Sequence, residues 1–304
     1  MRYTAVLIFV GMAIPSILVS QVRYAVEQGD VKGAAAVVVQ YRNQNGQTPE
    51  ALESLSWVAR GDLNSGNLDS AYEKAEEVKR LCLEALHNRR LDDEAHLPIA
   101  LGAAYEVEAG VLNARHQRAE AVALLNDALQ RWQGSSITAR LQKNLNLLTL
   151  VGKAAPALSQ TEWIGSKPLA AAELRGKVTL LFFWAHWCAD CKGDAPMVAD
   201  VARSYASRGL LVIAPTKRYG YTPTNDGPSP NEERSYIDRV YQRFYAQIPN
   251  AGVPLDGESF DRFGASTTPT IVVVDRHGIV KLYHPGAMSE NELAAAVEPL
   301  LSAR

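Results

Sequence analysis

Cysteine is scarce in this chain, three in 304 residues, too few for a disulfide-stapled scaffold. An excess of positive charge is missing as well: 31 Lys and Arg stand against 33 Asp and Glu, a formal net charge of −2. Without a basic field there is no electrostatic footprint for a nucleic acid, and that class of partner is excluded. Hydrophobic residues make up 47% and charged residues 21%, the composition of folded domains with cores rather than of a disordered chain. The length leaves room for two domains of ordinary size.

Charge is also absent from residues 3–22, just after Arg2, and the centre of that stretch reads "AVLIFVGMAIPSILV". A short basic start followed by an apolar run is the pattern of an export signal. Ser20 suits the last position before a cut, whereas Leu18 two residues earlier does not. A signal peptide and an uncleaved membrane anchor over 1–22 both stay open, with Gly11 and Pro15 making the anchor a marginal span. A buried N-terminal helix is the third reading.

From about residue 23 to 150 the sequence is rich in Ala, Leu, Glu and Arg, with apolar residues at helical spacing, which predicts an all-helical domain. Gly29-Asp30-Ala34 and Gly66-Asn67-Ala71 share one pattern. In each, the glycine can end one helix, the Asp or Asn can cap the next, and the alanine can sit where the two meet. A third unit, "ALGAAY" followed by "AEAVALLNDAL", is similar to a tetratricopeptide repeat with a longer turn. The domain reads as TPR-like, and its stacked hairpins are equally suited to scaffolding and to holding a protein partner. Cys82 lies in "EEVKRLCLEALH", where helical spacing makes it a small core residue without chemistry.

Over 151–304 the texture changes. "VTLLFFWA" and "LLVIAP" read as buried strands, "DAPMVADVARSYASRG" and "NEERSYIDRVYQRFYAQ" as helices, and "TPTIVVVD" and "IVKLYHPG" as a hairpin about "RHG". A last helix starts after Ser289, its expected cap. Two parallel strands joined by a helix, then a hairpin and a helix, predict an α/β sandwich. The fold class is thus α plus α/β.

The remaining cysteines stand three apart in "WAHWCADCK". Cys188 falls where a buried strand hands over to a helix, and the free N–H groups and dipole at a helix start favour its thiolate. Cys191, one turn later on the same side, can resolve a mixed disulfide formed at Cys188. The spacing predicts an exposed nucleophile and a more buried resolving thiol. Zinc is the rival reading of Cys-x-x-Cys next to His186, but no second Cys/His pair follows at ligand spacing. A peroxidatic cysteine wants Thr or Ser three residues earlier and a proline further upstream, where Ala185 and Leu181 stand.

"GKAAP", "ELRGKVTLLFFWAHWCADCK", "STTPTIVVVDRHG" and "MSENEL", in that order, make 151–304 resemble the TlpA/ResA-type branch of exported thioredoxin-like thiol:disulfide oxidoreductases. The resemblance does not reach the helical half. It implies a thioredoxin-like domain and a cis bond between Thr268 and Pro269, the pair acting as substrate-docking element beside the cysteines. An extended substrate segment can pair there as an added strand; an ordinary trans proline opening an edge strand is the alternative. Pro196 fits the kink of the active-site helix. Trp187 is expected to cover the cysteine pair and shape the contact surface, and Trp184 to be core.

Asp194 lies at i+3 from Cys191 and can relay the proton that Cys191 must lose. The family usually carries Glu there, and a solvated helix-start carboxylate is the alternative. Asp190 places negative charge beside the thiolate, partly offset by Lys192, which predicts a potential nearer the roughly −270 mV of a reducing thioredoxin than the roughly −120 mV of a strong oxidant. His186 reads as an exposed, uninvolved imidazole. The loop "TKRYGYTPTNDGPSPNEE" leaves a strand end on the cysteine side and can be a lid or a plain surface loop.

The expectation is an exported oxidoreductase, periplasmic or anchored to the outer face of the cytoplasmic membrane. It needs no bound cofactor beyond the Cys188–Cys191 disulfide. Its partners are a disulfide-bearing protein, a membrane electron donor, and a protein held by the helical domain. Cytochrome c or metalloprotein maturation is the setting the resemblance implies. A scaffold protein whose helices recruit a partner, and a disulfide oxidase or isomerase, are the competing functions.

Overall fold

The computed structural model of the chain describes residues 16–165 and 174–302. Most of the leader expected at 1–22 lies outside the described residues, and among the described residues no helix is long and apolar enough to cross a membrane. Two compact units divide between His116 and Gln117.

The first unit is helical: α1 (Ile17–Glu27), α2 (Val31–Asn45), α3 (Pro49–Asn64), α4 (Leu68–Ala85) and α5 (His96–Ala114). Ser16 caps α1 by accepting the Val19 amide, and Leu18, Val19 and Val22 are buried, with α1 packed on α2 and α3. The end of the expected leader is therefore the first turns of a packed helix, and a cut after Ser20 would strip Leu18 and Val19 from the interior. Gly29 and Gly66 hold φ of 81° and 78° after α1 and α3, a region that glycine enters without a Cβ penalty. Asp30 caps α2 by accepting the Gly33 amide, while Asn67 occupies the cap position of α4 without a side-chain bond. Ala34 and Ala71 are fully buried, as small residues at a close helix approach must be.

The second unit begins with α6 (Arg118–Arg131) and α7 (Thr138–Thr149) and continues with β1 (Trp163–Ile164), β2 (Val178–Phe183), α8 (Ala189–Tyr205), β3 (Leu210–Ile213) and α9 (Pro230–Phe244). It closes with β4 (Val253–Pro254), α10 (Gly257–Phe263), β5 (Thr270–Val274), β6 (Val280–Pro285) and α11 (Glu290–Ser302). Four strands form one sheet in the order β3-β2-β5-β6, with β2 parallel to β3 and the other pairs antiparallel. The short β1 pairs with β4. All six residues of β2 are buried, and successive side chains enter opposite layers. Leu180 and Phe182 share a core with Trp184 and the two cysteines, and Leu181 and Phe183 share one with Phe260 and Phe263. That inner strand of the sheet leads from between two core clusters to the cysteine pair.

The texture of the sequence changes near Val151, yet α6 and α7 belong to the compact unit that holds the sheet. Asn146 on α7 donates to the Phe263 carbonyl at 2.9 Å. Gly264, at φ 62°, lies so close to α7 that a Cβ there would stand 2.3 Å from the Lys143 amide nitrogen. Gly264→Ala is expected to destabilise this unit by about 2 kcal/mol or more, through a backbone clash added to left-handed strain. Gly278→Ala, also at positive φ but facing open space, should cost only about 1 kcal/mol. Urea unfolding of the two variants checks the difference.

Candidate redox site

Beyond β2 the chain runs through Trp184, Ala185 and His186 to Trp187, and α8 starts at Ala189 with Cys188 as its N-cap. The cap is a sulfur: Cys188 Sγ accepts the Cys191 amide at 3.0 Å, satisfying one of the orphan donors of the first turn. The two cysteines form a disulfide. Cys188 is 3% exposed and Cys191 fully buried, so the expected order of exposure is present but Cys188 is far more enclosed than the sequence predicts. Cys188 Sγ lies 3.4 Å from the Thr268 carbonyl oxygen, and the Thr268-Pro269 bond is cis, as the resemblance implied. Pro269 is buried, and its carbonyl accepts the Gly286 amide at 2.8 Å. Thr268, Cys188 and Cys191 thus come together from two distant parts of the chain.

Trp184 is core: its Nε1 donates to the Ala214 carbonyl at 2.9 Å, and its ring meets Tyr245 with centroids 4.1 Å apart. Trp187, expected to cover the cysteine pair and shape the contact surface, is 48% exposed and meets Tyr219 edge to face at 5.6 Å. Pro196 lies inside α8. Asp194 stands one turn past Cys191, with Oδ2 buried and without a hydrogen-bond partner among the described residues. Burial pushes its carboxyl above the ordinary range, a hydrogen bond from the Met288 backbone pulls against this, and Asp190 adds to it. Lys192 directs its ammonium over the Phe244 ring at 5.4 Å, and burial, then Arg243, push its pKa down.

His186 is a correction to the sequence reading: it is 1% exposed, ringed edge-on by Tyr219, Tyr221 and Tyr236 at centroid distances of 5.3, 5.1 and 5.3 Å. Its Nε2 lies 3.7 Å from Glu233 Oε1 and has no hydrogen-bond partner among the described residues. Sequence reasoning missed Glu233 as well, because "SPNEE" reads as an ordinary capped helix start: Ser229 and Glu232 do form a capping box, and Glu233 beside it looks like one more solvated first-turn charge. The chain order holds no signal for its inward turn.

Cys82 is free and buried, and burial, with Glu94 adding, pushes its thiol up to about 12, which leaves it inert at neutral pH. Among the described residues no group of three or more His, Cys, Asp or Glu could hold a metal ion.

Burial pushes the His186 pKa down, against Glu233 and reinforced by Lys192. A base with a folded pKa below its unfolded value binds more protons when unfolded. Its neutral form is at no disadvantage above about pH 6.5, and stability falls as pH drops below that value, by at most about 1.4 kcal/mol per pH unit for one proton. Denaturation midpoints measured between pH 7.5 and 5.5 should fall more steeply for the wild type than for His186→Phe. Asp194, with its raised pKa, contributes the opposite slope in a lower window, starting near pH 4.

The sequence matches the thioredoxin-like domain family over residues 166–300. The chain is 27% identical over 142 residues to the thioredoxin-like protein YneN of Bacillus subtilis, covering 47% of this chain and 75% of that one. It is 27% identical over 156 residues to the thiol-disulfide oxidoreductase ResA of Oceanobacillus iheyensis, covering 50% of this chain and 73% of that one. Among solved structures it matches a thiol:disulfide interchange protein DsbE from Chlorobium tepidum, with 23% identity, a TM-score of 0.39, and coverage of 50% of this chain and 98% of that chain.

Proposed function

We propose that this chain, a thioredoxin-like thiol:disulfide oxidoreductase, is exported and reduces disulfides in partner proteins, with Cys188 as nucleophile and Cys191 as resolving thiol. The observation that carries the reading is the sulfur cap: Cys188 Sγ takes a backbone amide at the start of α8 and faces the Thr268 carbonyl. A thiolate at that place is favoured by the same amide and by the helix dipole.

In the reduced protein the Cys188 thiolate attacks one sulfur of the partner's disulfide, and the other sulfur leaves as a thiolate and takes up a proton. Cys191 then gives up its proton and attacks Cys188 Sγ. The intramolecular disulfide forms, the mixed disulfide breaks, and the partner leaves with two electrons and two protons more than it brought. Asp194 is the acceptor for the Cys191 proton, since a half-buried carboxyl with a raised pKa exchanges protons nearer neutrality than a solvated one. Thr268 and Pro269 line the docking place, and Trp187 presents the exposed apolar surface beside it. A dithiol donor at the membrane restores the reduced form. The apolar run near the N-terminus supports export to the periplasm or the outer membrane face, the ResA resemblance supports a setting in cytochrome c or metalloprotein maturation, and the helical first unit is suited to recruiting a protein.

The test uses reduced full-length chain and insulin, whose disulfides report thiol exchange. Cys191→Ser should accumulate a mixed disulfide at Cys188, and Cys188→Ser should lose insulin reduction by about a thousandfold or more. Asp194→Asn should slow resolution about ten- to a hundredfold at pH 7 while leaving the first attack intact. Adducts forming at Cys191 rather than Cys188 would overturn the assignment.

A further inference from the structure

Glu233 occupies the first turn of α9 yet is only 2% exposed. Its carboxylate turns inward and accepts the amides of Tyr219 and Gly220, the latter on both oxygens at 3.0 and 3.1 Å. Burying a carboxylate is expensive unless its lone pairs are filled, and here the backbone of the loop after β3 fills them. The same loop is gripped from other sides. Arg218 forks onto Glu162 at 2.6 and 2.9 Å and donates Nε to the Pro230 carbonyl at 3.1 Å. The Thr216 hydroxyl donates to the Trp184 carbonyl at 2.9 Å. A stretch open to being a lid is therefore tied down along its first residues.

What the grip positions is aromatic. Tyr219 touches Trp187 and His186 edge to face, and Lys217 sits over its ring at 5.4 Å. Tyr221, 37% exposed, continues the surface. Trp187 is the residue immediately before the nucleophile, so whatever braces its ring sets the surface that a docking chain meets. Loosening the brace moves that surface and leaves the sulfur at the helix cap in place.

We propose that Glu233 is a positioning residue for the redox site. It holds residues 218–221 as a fixed wall that braces Trp187, and a polypeptide docks on that wall with an apolar or aromatic side chain next to its disulfide. The inference rests on the reading that Cys188 exchanges with protein disulfides. The charge-assisted amide bonds supply the rigidity, and the exposed faces of Trp187 and Tyr221 supply the contact, since aromatic rings give large contact area with little conformational freedom to lose.

The experiment compares reduced wild type, Glu233→Ala, Glu233→Gln and Tyr219→Ala in single-turnover reactions with insulin and with 5,5′-dithiobis(2-nitrobenzoate), a small disulfide that needs no wall. For Glu233→Ala the half-saturating insulin concentration should rise about tenfold with the limiting rate held within about twofold. The insulin-to-small-disulfide rate ratio should fall by the same factor. Glu233→Gln, which keeps an acceptor oxygen for the loop amides, should recover most of the loss. Tyr219→Ala should reproduce the insulin defect with Glu233 intact, and it decides the matter with Glu233→Gln if Glu233→Ala does not fold. Equal fractional losses on both probes, or unchanged insulin half-saturation in Tyr219→Ala, would overturn the inference. Wild type inert toward both disulfides would instead remove the exchange reading on which it stands.

Discussion

A sulfur atom caps the active-site helix, and the second unit is arranged around that placement. Cys188 must leave a strand buried on both faces, accept the Cys191 amide in the first turn of α8, and stop within contact of the Thr268 carbonyl. Each requirement fixes the others. The strand can be buried on both sides only because one layer is filled by the cysteine-bearing helix and the other by Phe260, Phe263 and their neighbours. The helix start can stabilise a thiolate only because its amides point at the sulfur rather than at water.

Enclosure is the second theme of the site. Both cysteines are nearly sealed, and the exposed surface beside them is supplied by Trp187. Behind that surface lies a polar pocket of unusual composition for a core: a neutral-leaning His186, a carboxylate turned inward from a helix start, and tyrosine edges around them. Such groups are tolerated when their bonds hold something in place. Here the Glu233 carboxylate holds backbone, and the backbone holds the ring behind the redox motif.

Much of this was legible in the order of residues. Runs such as "VTLLFFWA" and "TIVVVD" predict buried strands, and the structure places β2 and β5 within them. Asp30 and Ser289 predict helix starts, and both receive the expected amides. The Cys188–Cys191 pair was legible from its spacing, and the cis Thr268-Pro269 bond from the family resemblance. Long-range partnership was not. Nothing in the Leu- and Asn-containing text of α7 says that Asn146 will bond the Phe263 carbonyl, and α7 consequently reads as part of the helical half. His186 and Glu233 each look like surface residues locally, and only the fold brings them within 3.7 Å. The two-residue strands β1 and β4 and the seven-residue α10 are too short to carry a period.

The central claim is that this site gives electrons rather than takes them, with Asp190 in the first turn of α8 opposing the stabilisation that the helix start gives the thiolate. Its most direct test is the equilibrium reduction potential of the Cys188–Cys191 couple, read by tryptophan fluorescence across thiol/disulfide buffers. The account predicts a value near about −270 mV, and a value above about −180 mV would contradict it.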